Sequence, residues 1–172
     1  PEKIKITLYG SFKETYKGHG TDIALIGGLL GYNTSDKRIR TSLEDAKEAG
    51  IDFEFIESEV EHIHPNTAKL EVEAGRHSLD LIGKSIGGGK MVIFELLGFD
   101  VNLSGDFPSY FVFYKFSEKN KTHLLSEINN IFGDNKVSDN FSDSILEGVN
   151  LLVVEVLEEI SLFEGNTINV KE

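Results

Sequence analysis

The chain of 172 residues contains no cysteine. That excludes disulfides and thiol nucleophiles, and any iron–sulfur cluster it works with must take its thiolates from another chain. Basic residues are scarce against acidic ones, 17 to 29, which leaves a formal net charge of −12. No stretch gathers enough lysine or arginine to track a phosphate backbone, so nucleic acid is not an expected partner. Long apolar runs are missing as well. Ile23 to Leu30 is too short for a membrane span and contains two glycines. No signal or transit peptide is visible, and with the missing cysteines this leads to the expectation of a cytoplasmic protein.

What is present is organised around the stretch from Gly10 to Gly31. It follows Ile4, Ile6 and Leu8, whose alternation reads as a strand with one buried face. At its centre Gly18-His19-Gly20 places a lone histidine between two residues free to take unusual backbone angles. Thr21 and Asp22 then read as the cap and first turn of a helix carrying Ile23, Leu25, Ile26, Leu29 and Leu30. On this reading His19 sits on a tight turn at a helix N-terminus. The positive end of the helix dipole there disfavours a charged ring, which suits a proton acceptor. An ordinary turn with a solvated histidine is the alternative. Gly27-Gly28 inside the helix costs about 1 kcal/mol per glycine against alanine, and close backbone packing is the usual compensation.

A second helix, Leu43 to Ala49, is capped by Thr41 or Ser42 and closed by Gly50. Ile51, Phe53 and Phe55 alternate as a strand, and an acidic patch from Glu57 to Glu61 follows. Strand-like runs span Ala68 to Glu73, Ser78 to Ile82 and Met91 to Leu96; Gly75 marks the turn between the first two, Gly87-Gly88-Gly89 separates the second and third, and Phe99-Val101-Leu103 is a further short alternation. Two early helices followed by strands predict an α+β layer with a mixed sheet. From Tyr110 to Phe116 the chain is strongly aromatic, with core on one face and a partner surface on the other as the expected use. A helix from Thr122 through Ile131, a weak strand from Val137 to Ser144, a firm strand from Leu151 to Val156, a helical piece from Glu158 to Phe163 and a closing strand from Thr167 to Lys171 complete a split ferredoxin-like order. The expected division is 1–106 for the first domain and 107–172 for the second.

Three further constellations carry chemistry. His62-Ile63-His64 on extended backbone places two imidazoles on one face, a spacing metal sites use, but most such pairs in loops bind nothing, no third ligand is evident beyond nearby glutamates, and no metal is expected here. Pro65 biases His64 to extended geometry, and Asn66 and Thr67 offer short donors and acceptors in a fixed turn; a plain turn before a strand is the equal alternative. Ser85-Ile86-Gly87-Gly88-Gly89-Lys90 invites an anion nest of glycine N–H groups. It fails the P-loop pattern, since Lys84 stands where a glycine is required and Met91 where serine or threonine is.

Taken in order, Tyr9-Gly-Ser-Phe12, Gly18-His-Gly-Thr-Asp22, His64-Pro-Asn-Thr67 and Ser85-Ile-Gly-Gly-Gly89 resemble the β chain of bacterial iron–sulfur-dependent L-serine dehydratase. The match covers Ile4 to Gly105, with four motifs in register. The resemblance implies a serine dehydratase β-type domain followed by an ACT-like ferredoxin domain. It implies a partner α subunit that holds a 4Fe–4S cluster through its own cysteines, one iron acting as Lewis acid on the hydroxyl of L-serine. A base removes the α-proton, hydroxide leaves, and the aminoacrylate decays to pyruvate and ammonia. The chain is then inactive alone and closes the active site at the subunit interface. His19 becomes the candidate base or proton carrier, with His64, Asn66, Thr67 and Ser85 as candidate substrate-binding or supporting residues. Two copies could pair through the ACT-like domain.

Two departures from the family stand out. Its Ser-Ser-His-Thr segment, which carries another histidine to the active site, has no counterpart before Pro1, so either the sequence begins late or that part of the site is lacking. The loop Ser117 to Thr122 has no glycine, which argues against effector binding by the ACT-like domain. A second reading belongs to another class. The same type of domain resembles the intervening regulatory domain of some D-3-phosphoglycerate dehydrogenases, which binds a small anion or amino acid without catalysis. The glycine nest with Lys84 or Lys90 would then form the effector pocket.

Overall fold

The computed structural model describes residues 1–61, 64–106, 109–115, 122–127, 130, 142–143 and 149–155. It is an α+β chain whose main sheet is mixed and six-stranded, with strand order β2-β1-β3-β4-β5-β6. The strands are β1 (Lys3–Leu8), β2 (Asp52–Glu57), β3 (Thr67–Ala74), β4 (His77–Gly87), β5 (Lys90–Leu96) and β6 (Phe99–Leu103). Three helices, α1 (Ser11–His19), α2 (Thr21–Leu29) and α3 (Ser42–Glu48), lie in the connection from β1 to β2. The chain divides into two compact units, Pro1–Leu97 and Gly98–Glu172.

The central strand explains the first unit. Ile4, Ile6 and Leu8 are wholly buried and face Phe53 and Phe55 of parallel β2 and Val72, Leu70 and Ala68 of antiparallel β3. The alternate residues put Lys5 beside Glu71 on the opposite face, where Lys69 also reaches the same carboxylate. Partial burial pushes the Glu71 carboxyl up, but the two lysines outweigh it and hold it below the ordinary glutamate value. The helices cover the apolar face. Tyr16 and Ile26 join the core, and the Tyr16 ring stacks on Phe55 at 5.5 Å.

Gly27 supports the close-packing expectation. A Cβ there would stand 3.3 Å from Ile39 Cγ1 and 3.6 Å from Ser42 Cβ, and the buried Ser42 hydroxyl donates to Ile23 O at 2.7 Å. Gly28 has open space around it, so packing does not explain the second glycine. The hairpins also follow their turn residues. Gly75, at φ +58, takes the first central position between β3 and β4, and Gly88 and Gly89, at φ +62 and +76, link β4 to β5.

Before α3, Tyr32 O–H donates to Asp45 Oδ2 at 3.0 Å, while Arg38 lies over the Tyr32 ring and pairs with Asp36 at 2.6 Å. The hydrogen bond to Asp45 raises the Tyr32 hydroxyl above its ordinary value, with burial and the Asp45 charge adding to it. A group raised on folding stabilises fully below its unfolded value, about 10 for tyrosine, and loses that contribution as pH rises through the folded value. The Tm advantage of the wild type over Tyr32→Phe is therefore expected to hold up to about pH 9 and to shrink as pH rises past about 10. Parallel thermal melts check this, and an advantage that grows with pH would overturn it.

The second unit holds a three-stranded antiparallel sheet, order β7-β9-β8, from β7 (Ser109–Lys115), β8 (Ser142–Asp143) and β9 (Val149–Glu155). Residues 122–127 are helical. Strand, helix, strand, strand with this spatial order is what a split β-α-β unit produces. The expected closing helix and strand, Glu158 to Phe163 and Thr167 to Lys171, lie outside the described residues. On β7, Phe111 and Phe113 are 40% and 48% exposed, with the Phe113 ring 5.9 Å from that of Phe99.

Candidate functional site

Three of the four motifs meet at one end of the main sheet. Tyr9 N–H donates to Thr67 O at 3.1 Å, and Phe12 N–H reaches both Tyr9 O at 3.1 Å and Pro65 O at 3.3 Å. Ser85 N–H donates to Asn66 O at 2.9 Å. The segment that leaves β1, the loop that enters β3 and the end of β4 are thus joined by main-chain bonds. Gly10 makes the approach close, for a Cβ there would stand 2.7 Å from both Cα and O of Pro65. Its φ of +51 and ψ of −130 belong to a region that L side chains rarely adopt.

The His64–Thr67 loop is also tied internally. Thr67, fully buried, donates from Oγ1 to His64 O at 2.7 Å, and Asn66 N–H donates to His64 Nδ1 at 3.2 Å. With Nδ1 accepting, the proton of an uncharged ring belongs on Nε2. His64 Nε2 and the Asn66 amide have no hydrogen-bond partner among the described residues, and both side chains are half-buried. The Ser85 hydroxyl accepts a long 3.5 Å bond from Gly87 N–H. An imidazole, an amide and a hydroxyl are thus carried on segments tied to one another by main-chain bonds, a set whose chemistry can bind a small polar molecule or settle a partner surface.

His19 shares none of these bonds. The expected tight turn is instead the end of a helix: Ser11–His19 is helical, His19 closes it, and Gly20 at φ +68 joins it to α2. The signal for α1 was Phe12 and Tyr16 at i, i+4 over an apolar sheet face, with Thr15 Oγ1 donating back to Ser11 O at 2.7 Å. His19 therefore lies between opposite ends of two helix dipoles, and the one-sided field expected from sequence is not what it meets. Thr21 makes no capping bond, while Asp22 Oδ1 accepts from Ile23 N–H. Along the axis of α1 the His19 Cα lies about 12 Å from that of Ser11, at about 1.5 Å per residue. His19 is exposed, with no hydrogen bond or ion pair among the described residues.

The glycine stretch is the tip of a hairpin, as its position between two strand-like runs implies. Ser85 to Gly87 extend β4, and Gly88-Gly89 form the two-residue turn that returns Lys90 to pair with Gly87. Lys84 Nζ lies 5.6 Å from the Phe94 ring centroid, a cation–π position on the sheet. Ile86 and Met91, beside this tip, are 52% and 48% exposed. His62 and Ile63 of the His-x-His pair lie outside the described residues, and no three metal-ligating side chains converge among those described. The acidic patch is partly engaged by α1, through Tyr16 O–H to Glu57 at 3.3 Å and Lys13 Nζ to Ser58 O at 3.0 Å. A depression of about 230 Å³ lined by Glu71, Glu73, Ser78 and Asp80 lies on the β3–β4 hairpin and involves none of the motif residues.

Tyr9-Gly-Ser-Phe12 has no evident task in the sequence; the fold makes it the platform under the His64 loop. A glycine directly after a strand was the available signal. Compared with known proteins, residues 1–95 match the family model described as serine dehydratase beta chain. The chain is 52% identical over 112 residues to a probable L-serine dehydratase, beta chain, of Bacillus subtilis, covering 65% of this chain and 51% of that one. It is 39% identical over 114 residues to the L-serine dehydratase, beta chain, of Peptoniphilus asaccharolyticus, with the same coverage of 65% and 51%. The chain thus spans about half the length of the curated relatives it matches.

Proposed function

Because the chain belongs to the serine dehydratase β-chain family, we propose that it is the β subunit of a two-chain L-serine dehydratase that converts L-serine to pyruvate and ammonia. The observation that carries this reading is the meeting of Tyr9–Phe12, His64–Thr67 and Ser85 at one end of the sheet, within the family-matched residues. These residues form no metal centre of their own. With no cysteine, the chain has none of the thiolates a 4Fe–4S cluster requires, so its residues do not fit the group. In this reading the cluster belongs to the α subunit, and the chain is inactive without it.

The chain's own residues then bind, orient and carry a proton. His64 Nε2 as a donor suits the substrate carboxylate, the Asn66 amide can donate or accept, and the Ser85 hydroxyl can do either. Thr67 holds the loop through its bond to His64 O. His19, exposed at the end of α1, is offered to the partner as a base or proton carrier. In the second unit we read residues 107–172 as an ACT-like domain, with the exposed Phe111 and Phe113 of β7 as a surface for pairing two copies. No described helix is long and apolar enough to cross a membrane, and the proposal places the enzyme in the cytoplasm.

One observation favours the second reading, a non-catalytic module that binds a small anion or amino acid. The His64 loop and Ser85 form a polar group without His19. An anaerobic assay of pyruvate from L-serine separates the two. The cluster-loaded α subunit is measured alone and with this chain, and activity is expected only when both are present. Equal turnover without this chain would overturn the catalytic reading.

A further inference from the structure

We propose that Gly10 is a positioning residue for the site: by lacking a side chain it forms the seat on which the Pro65 backbone rests, and so sets the placement of His64, Asn66 and Ser85. The inference rests on the reading of those three residues as a site. Its geometry is independent of that reading. The L-face of the Gly10 α-carbon is filled by Pro65, whose Cα and O both stand 2.7 Å from an ideal Cβ, and whose carbonyl carbon stands at 3.1 Å. These are backbone atoms, so no side-chain rotation relieves the contact. Pro65 O is also held by Phe12 N–H, at 3.3 Å, which draws the loop onto the start of α1. From Pro65 the connection to chemistry is short. His64 precedes it, Asn66 follows it with its N–H on His64 Nδ1, and Asn66 O receives Ser85 N–H. Any shift of Pro65 away from Gly10 therefore moves the imidazole and Ser85 together.

Backbone conformation offers a chiral test of the seat. At φ +51 and ψ −130 Gly10 occupies the mirror image of a conformation near polyproline II. A D-residue is at ease there, and the methyl of D-alanine replaces the other α-hydrogen, away from the direction that meets Pro65. An L-alanine meets both the strain and Pro65. Proteins with glycine, L-alanine or D-alanine at position 10 can be assembled from a synthetic segment of residues 1–23 and an expressed segment of residues 24–172. The two join through a cysteine that is then desulfurised to the native Ala24, a selective step because the chain has no other cysteine.

The readouts are the ¹⁵N resonances of the His64 ring and the amide exchange of Asn66 and Ser85 in the free chain. With L-alanine the His64 Nδ1 resonance is expected to move and the two amides to exchange at least about tenfold faster. With D-alanine both are expected to stay within about twofold of the glycine protein. After assembly with the α subunit, L-alanine is expected to lower kcat about 10²-fold, the scale of a misplacement of about 1 Å, with D-alanine restoring it. An undisturbed His64 ring in the L-alanine protein, or equal disturbance by both enantiomers, overturns the proposal. If the L-alanine protein does not fold, the wild type decides: an NOE between the α-protons of Gly10 and Pro65 supports the seat, and its absence overturns it. Lack of turnover with the glycine protein would count against the dehydratase reading alone, since the resonance and exchange arms do not use the reaction.

Discussion

Replacing His19 by alanine is expected to lower serine dehydration by the assembled enzyme between about 10²-fold and 10⁴-fold, the usual contribution of a positioned acid or base. The same change is expected to leave thermal stability of the free chain nearly untouched. His19 is exposed, forms no hydrogen bond or ion pair among the described residues, and follows Gly18, around which space is open. A large loss of turnover with an unchanged Tm is the signature of a residue used outside its own fold. The pH dependence of kcat/KM supplies a second measure, because removing a proton carrier should flatten one limb of the profile while a scaffold defect scales the whole curve. Turnover within about twofold of wild type would remove His19 from the chemistry and favour the regulatory reading.

The second large effect concerns stability. Ile6→Ala is expected to cost about 2–5 kcal/mol, the range for truncating a large buried aliphatic side chain to alanine. Ile6 is fully buried at the middle of β1, opposite Phe55 on one side and Leu70 on the other. Its loss opens a cavity between the sheet and the helices at a point where both flanking strands are hydrogen-bonded and cannot collapse freely inward. Such a cost is a large share of the stability of an ordinary domain. Denaturant unfolding followed by circular dichroism measures it, and a cost below about 1 kcal/mol would show that β1 is not the centre of the core.

Much of the scaffold was legible because local pattern and tertiary role agree. The alternation Ile4-Ile6-Leu8 can bury only one face, and that face became the core. Gly75, and Gly88 with Gly89, stand at turn positions that require positive φ, so the β3–β4 and β4–β5 hairpins followed from residue type. Helix α1 was harder to read. Its apolar residues Phe12 and Tyr16 span a single turn, and glycines at both ends resemble a loop until the apolar sheet beneath them is known.

The sequence by itself determined the α+β class, the main strands and hairpins, the lack of any thiolate ligand and the motifs that mark the family. It did so because residue type, spacing and turn chemistry act over a few neighbours. Only the tertiary structure decided which motifs meet. Tyr9–Phe12, His64–Thr67 and Ser85 are far apart along the chain, and they come together because β3 lies between β1 and β4 in the sheet. The same fold ends α1 at His19 and leaves that ring outside the group. Such pairings depend on strand order and register, long-range contacts that no local pattern encodes.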